Sequence, residues 1–152
     1  MRRKDRVFTS FQRLHWRRGV GEYGILSTVD SENQPYGVPL NYVAFKKWID
    51  FNAALDGHKI DNISNNNKVS FCIVTKSDVL AEELSTDYES VIVFGKIYTV
   101  EGEEKNESLI KLLEKFSPKF MDKGLESIKK SSSRTKVCKI TIEHITGKAK
   151  NI

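Results

Sequence analysis

Residues 35–59 read PYGVPLNYVAFKKWIDFNAALDGHK, and no other segment restricts the fold as much. Two extended, apolar-rich runs are followed by a short polar stretch, Asn52-Ala-Ala-Leu-Asp-Gly-His-Lys59, that opens a helix. Tyr36, Val38, Leu40 and Tyr42 recur with the period of two that marks one face of a strand over 34–45. Pro35 and Pro39 have no N–H to give to a ladder, so part of this strand belongs at a sheet edge or against a ligand. Small residues at Ala53, Ala54 and Gly57 let backbone N–H groups come close to a ligand, and a helix N-terminus is electropositive. Lys59 adds a full positive charge within one turn of that end. The segment thus suits a phosphate or another compact anion, and points to a phosphorylated cofactor.

The remaining elements frame that segment. Thr9 or Ser10 caps a helix carrying Phe11 and Leu14, and Gly19 stops it. A strand is expected over 23–29, and 30–33 form a turn cluster. Lys46-Lys47 turns the chain into a strand over 48–52, and a short helix over 57–65 points Ile60 and Ile63 inward. Strands over 69–75 and 90–100 flank an acidic loop with Glu82, Glu83 and Asp87. Gly102 introduces a helix whose Leu109, Leu112, Leu113 and Phe116 form a buried stripe. Ser117-Pro118 reads as the N-cap and first position of another helix, inward at Met121, Leu125 and Ile128. Ser131–Ser133 is read as a loop before a final strand over 136–144, with Cys138, Ile140 and Ile142 on one face. Short links between the strands favour antiparallel pairing. The expectation is a single α+β domain over 1–152: a six-stranded, mainly antiparallel, barrel-like sheet with peripheral helices.

Composition narrows the function classes. A chain of 152 residues, 39% hydrophobic and 30% charged, suits one globular domain with its own core. No run of about 18 apolar residues is present to span a membrane. The N-terminus is basic without an apolar stretch behind it, and Cys72 and Cys138 stand alone, so a cytoplasmic protein with reduced thiols is expected. The net charge of +5 is uneven. Residues 1–18 carry seven Lys/Arg against one Asp, and 119–152 carry nine against three acids, while 19–118 hold nine basic and sixteen acidic residues. The basic ends read as solvated faces; no interleaved aromatics or RNA-binding signature accompanies them, so nucleic acid is not the expected partner. Three scattered histidines, His15, His58 and His144, show no metal-ligand spacing, and Ser27 and Ser90 lack a His/Asp arrangement for nucleophilic catalysis.

Five motifs in register carry a resemblance: MRRKDR at the start, GILSTVD…QPYGVPLNYV, FNAALDGHKIDNI, SVIVFGK at 90–96 and the closing ITGK. Together they resemble the nitroimidazole-resistance (Nim) group of the pyridoxamine 5′-phosphate oxidase-like flavoproteins. The resemblance implies an FMN-binding split barrel, a homodimer with FMN at the subunit interface, and flavin-dependent reduction of small nitro-aromatic or other electron-poor compounds. It also implies that Val38, Pro39, Leu40 and Asn41 run along the isoalloxazine, and that the segment with Asn52, Ala53, Ala54, Gly57 and Lys59 holds the phosphate. The strand over 90–100, with Val91, Ile92 and Val93, is then the candidate to be buried on both faces.

Plain structural readings stand beside these. Lys59 is also consistent with an exposed lysine, although a helix start disfavours a cation unless an anion lies between. Gly57 also serves as a helix-entry glycine, and Asn41 fits a solvent-facing amide equally well. Tyr36, Tyr42 and Trp48 suit a core or an interface. Nim-type proteins commonly carry a histidine where this chain has Asn52, which makes Asn52 the candidate catalytic position and sets nitroreduction against a non-catalytic flavin-binding or storage role. The arginine- and histidine-containing C-terminal stretch that pyridoxamine-phosphate oxidases use on their substrate has no counterpart in ITGKAKNI, so vitamin B6 oxidation is not expected.

Overall fold

A computed structural model describes residues 21–150. The helix expected around Phe11 and Leu14, the MRRKDR motif and His15 lie outside these residues. In chain order the elements are β1 (Gly24–Val29), β2 (Pro35–Leu40), β3 (Val43–Ala44), β4 (Trp48–Ala53), α1 (His58–Asn65), β5 (Lys68–Leu80), β6 (Ser85–Val100), α2 (Gly102–Phe116), α3 (Met121–Ser131) and β7 (Lys136–Lys150). The strands form one sheet in the order β2-β1-β5-β6-β7-β4-β3, with every pairing antiparallel. The expected α+β class is what the chain adopts. Its sheet is open, with β2 at one edge and β3 at the other.

Alternation sets the inner face. Leu26 on β1, Phe71 and Ile73 on β5, Val91, Val93 and Ile97 on β6, Ile140 on β7, and Ile49 and Phe51 on β4 are all fully or almost fully buried in one core. The helix α1 leaves β4 and returns across the sheet to β1, where the Asn62 side-chain amide donates to Thr28 Oγ1 at 2.9 Å. Ile60 and Ile63 of α1 join the core as expected. The other side of β4 and β7 is covered by α2 and α3, with Val100, Leu109 and Val137 in a small second cluster that Ile128 packs against.

Several expectations are corrected. The sheet has seven strands, because the run over 34–45 breaks at Asn41-Tyr42 into β2 and β3. Tyr42 turns fully inward there, edge-on to Phe71 at 5.2 Å, and its carbonyl accepts from Lys115 at 2.9 Å instead of from a strand. The β5–β6 hairpin reaches much further than the apolar runs suggest, so Glu82 and Glu83 occupy its turn while Asp87 sits within β6 opposite Asp78. The strand β7 continues past His144 to Lys150 because β6 pairs along its length, with a bulge at Phe94/Gly95. Ser117 makes no side-chain cap; Pro118–Phe120 form a 3₁₀ turn ahead of α3. Phe116 and Leu125 are exposed, since α3 lies against α2 by its Gly124 side. Ser131 ends α3, and Ser132–Arg134 form a second 3₁₀ turn.

Candidate functional site

Edge position determines what β2 can offer. It pairs only with β1, in a register that sets Val38 against Leu26, Pro39 against Ile25 and Leu40 against Gly24. Its other edge carries backbone groups that no strand uses. Val38 and Leu40 are half-buried against the core, whereas Pro39 is exposed. Asn41 is exposed, yet its side-chain amide donates to the Glu22 carbonyl at 2.9 Å and so fixes the chain leaving β2.

The segment between β4 and α1 brings a helix start to this edge. Ala53 is buried, while Ala54 and Gly57 are exposed. Gly57 is the N-cap of α1, with φ 119° and ψ 167°, a conformation essentially reserved for glycine. A Cβ placed on it would meet nothing within 4 Å, so the backbone borders open space. No side chain caps the helix, which leaves first-turn N–H groups directed outward. The His58 ring lies 4.1 Å from that of Tyr36 on β2, which joins the helix start and the sheet edge in one surface. Lys59 is half-buried, near enough to β7 to act on Cys138. Burial pushes the Cys138 thiol up to about 11, against the opposing pull of Lys136 and Lys59.

Asn52 points elsewhere. It shares the face of β4 with Trp48 and Asp50, opposite Ala53, and lines a groove of about 250 Å³ with Leu112, Leu113, Ser127 and Thr135 of the helical side. The structure therefore sets the helix start at Gly57–Lys59 beside the Tyr36 end of β2, leaves Val38–Asn41 further along the same edge, and puts the Asn52 side chain in a different recess.

That same face carries a cluster that sequence reasoning missed. Asp50, 1% exposed, pairs across strands with Lys139, whose Nζ lies 3.8 Å from Asp50 Oδ2 and also binds Glu104. The Ser108 hydroxyl of α2 donates to Asp50 Oδ2 at 2.7 Å. Burial raises the Asp50 carboxyl to about 6, despite the Ser108 bond and the Lys139 charge; Glu104 pushes the same way, and the nearby Trp48 indole N–H slightly opposes it. Oδ1 of Asp50 is buried without a hydrogen bond. Charged residues interrupting apolar strands, Asp50 in WIDF and Lys139 in VCKI, were the available signal. On the neighbouring side, Lys115 Nζ donates to the Gly21 and Tyr42 carbonyls at 2.8 and 2.9 Å over the Tyr42 ring, and burial lowers it to about 8. Among the described residues no group of His, Cys, Asp and Glu is arranged to hold a metal ion.

The fold is similar to several solved structures. One is a candidate 5-nitroimidazole antibiotic resistance protein from Bacteroides thetaiotaomicron, with 22% identity, 93% of this chain and 85% of that one covered, and a TM-score of 0.74. Another is a FAD and heme binding protein from Mycobacterium smegmatis, with 15% identity, 97% and 74% covered, and a TM-score of 0.78. A heme storage protein from Vibrio cholerae follows at 15% identity, 88% and 90% covered, and a TM-score of 0.67. No curated protein sequence matches the chain. The family model described as pyridoxamine 5′-phosphate oxidase matches residues 19–149, and the chain belongs to that family.

Proposed function

We propose that this chain binds FMN and works as a flavin-dependent reductase of small nitro-aromatic or other electron-poor compounds. The observation that carries the reading is Gly57: an uncapped helix start, open above its backbone, with Lys59 one residue into the helix. The FMN phosphate would sit against the Gly57–Lys59 backbone, where the helix dipole and the lysine both favour an anion. The free edge of β2 at Val38–Asn41 would hold the ring by backbone groups. When bound, FMN supplies the electron transfer; the protein supplies position and a restricted surface. The likeness to a candidate 5-nitroimidazole resistance protein supports the substrate class.

The reading includes a homodimer. Outward-facing Ile25 on β1 and Ile92 and Phe94 on β6 are 38–42% exposed and lie side by side across β1, β5 and β6. A second copy covering this face would bury β6 on both sides.

Titrating the purified chain with FMN and riboflavin tests the assignment. FMN should bind roughly ten- to a hundredfold more tightly, the worth of charge-assisted phosphate contacts. Equal affinities would reject it. A second reading, flavin or heme binding without turnover, is favoured by Asn52 in place of histidine and by the likeness to a heme storage protein. Single-turnover reoxidation of the reduced, FMN-loaded protein by nitro-aromatic acceptors separates the two.

A further inference from the structure

We infer that the recess between β4 and the start of α2 is a second ligand site, built to take a compact organic cation that carries an N–H donor and a flat apolar group. The recess holds about 300 Å³ and lies on the face of β4 away from the main core, on the α2 side of the sheet. Its floor is Asp50, and its wall is the Phe45–Trp48 pair, stacked with ring centroids 5.1 Å apart. Ser108, Lys139, Glu104, Glu107 and Lys111 complete the polar lining.

Three observations select a cation. First, Asp50 Oδ1 is buried and accepts no hydrogen bond, although Oδ2 is held by Ser108. A buried carboxylate oxygen left unpaired costs free energy that a bound donor returns. Second, the two lysines are engaged: Lys139 with Glu104, near Asp50 and 4.6 Å over the Trp48 ring, and Lys111 with Glu114 outside the recess. Asp50, Glu104 and Glu107 against Lys139 and Lys111 leave the lining net negative. Third, the aromatic pair gives a flat apolar group a surface to lie on and an ammonium or amidinium a ring face to approach. The Trp48 indole N–H is near the carboxylate but leaves Oδ1 unbonded. The volume is at the small end for ligand sites, which excludes bulky or dinucleotide ligands.

Calorimetric titration of the full chain at pH 7.5 with benzylamine, benzamidine and benzyl alcohol tests the site. The two cations should bind one per chain, and benzyl alcohol should bind at least about tenfold more weakly. Asp50→Asn, which keeps the shape and removes the charge, should weaken both cations at least about tenfold. Absence of saturable cation binding, equal binding of benzyl alcohol, or an unaffected Asp50→Asn would each overturn the inference. Carboxyl NMR of the unaltered chain reads the same contact without a substitution. Saturating benzylamine should pull the Asp50 titration down by about one pH unit or more, because a bound cation favours the charged carboxylate; an unmoved titration would refute the contact.

Discussion

Lys59 stands where an isolated helix would not choose a cation, half-buried one residue inside an uncapped N-terminus. If a phosphate lies between, Lys59→Ala should weaken FMN by about 1.5–3 kcal/mol, the worth of a charge-assisted hydrogen bond. Riboflavin should lose little, and fluorescence titration of both ligands reads the difference. Asn52 asks a separate question, because its side chain faces the groove beside Leu112 and Thr135 and not the edge of β2. An amide does not titrate near neutral pH, whereas histidine does. With residue 52 out of reach of the β2 edge, Asn52→His should leave both FMN affinity and nitro-aromatic turnover nearly unchanged, read by flavin reoxidation. Fast wild-type turnover abolished by the substitution would instead make Asn52 the working residue. For Asp50 the pH dependence has a definite sign. Its folded-state pKa is raised from 3.8 to about 6, so between those values the folded chain keeps a proton that the unfolded chain has released. This group therefore stabilises the fold less as pH climbs from about 4 to about 6, by up to about 3 kcal/mol at ~1.4 kcal/mol per pKa unit. Urea denaturation at pH 4 and pH 7 should show Asp50→Asn gaining on the wild type across that interval. The helix start at Gly57 was legible because helix-start chemistry is local in sequence. The Asp50–Lys139 pair was not, because it exists only through the register that sets residue 50 beside residue 139.

At the level of elements, two glycines hold geometry for different reasons. Gly57 has open space where a Cβ would go, so Gly57→Ala meets only the cost of its φ of 119°, on the order of 1–3 kcal/mol. Gly95 has a negative φ but no room: a Cβ there would lie 2.0 Å from the Thr141 carbonyl oxygen, at the β6–β7 bulge. Backbone cannot yield as a side-chain tip does, so Gly95→Ala should cost more than about 3 kcal/mol, the upper range for ordinary overpacking. Thermal unfolding of the two variants should rank them in that order. Strand positions followed from alternation, but strand lengths did not. The sequence ITGKAK has no apolar run to announce a strand, and β7 extends through it because β6 supplies hydrogen-bond partners from Tyr88 to Val100. Likewise the α3 face was misjudged at Leu125, since helical spacing fixes which residues share a stripe but not how much of it a neighbour covers.

Across the whole molecule, the uncovered row of Ile25, Ile92 and Phe94 belongs with the proposed dimer. Sedimentation should find a dimer burying more than about 2,000 Å², as obligate pairs do. Ile92→Glu with Phe94→Glu should shift it to monomer, because two buried charges at such a face lack partners; a stable, FMN-saturated wild-type monomer at micromolar concentration would contradict the assignment. The overall class was legible because apolar periodicity and turn residues mark the strands one by one. The seam that joins them was not, since nothing local says that β4 pairs with β7. That seam has a kinetic consequence. The hairpins β1–β2 and β3–β4 are neighbours along the chain yet lie at opposite ends of the sheet, and Asn52 meets its partner only at Val137. While the polypeptide is being synthesised, β4 must wait as an unpaired edge until α3 and β7 have emerged. Pairings between strands so distant in sequence slow folding towards the millisecond-to-second range. The recess above Asp50, whose lining needs Lys139 from that last strand, is among the latest parts of the molecule to exist.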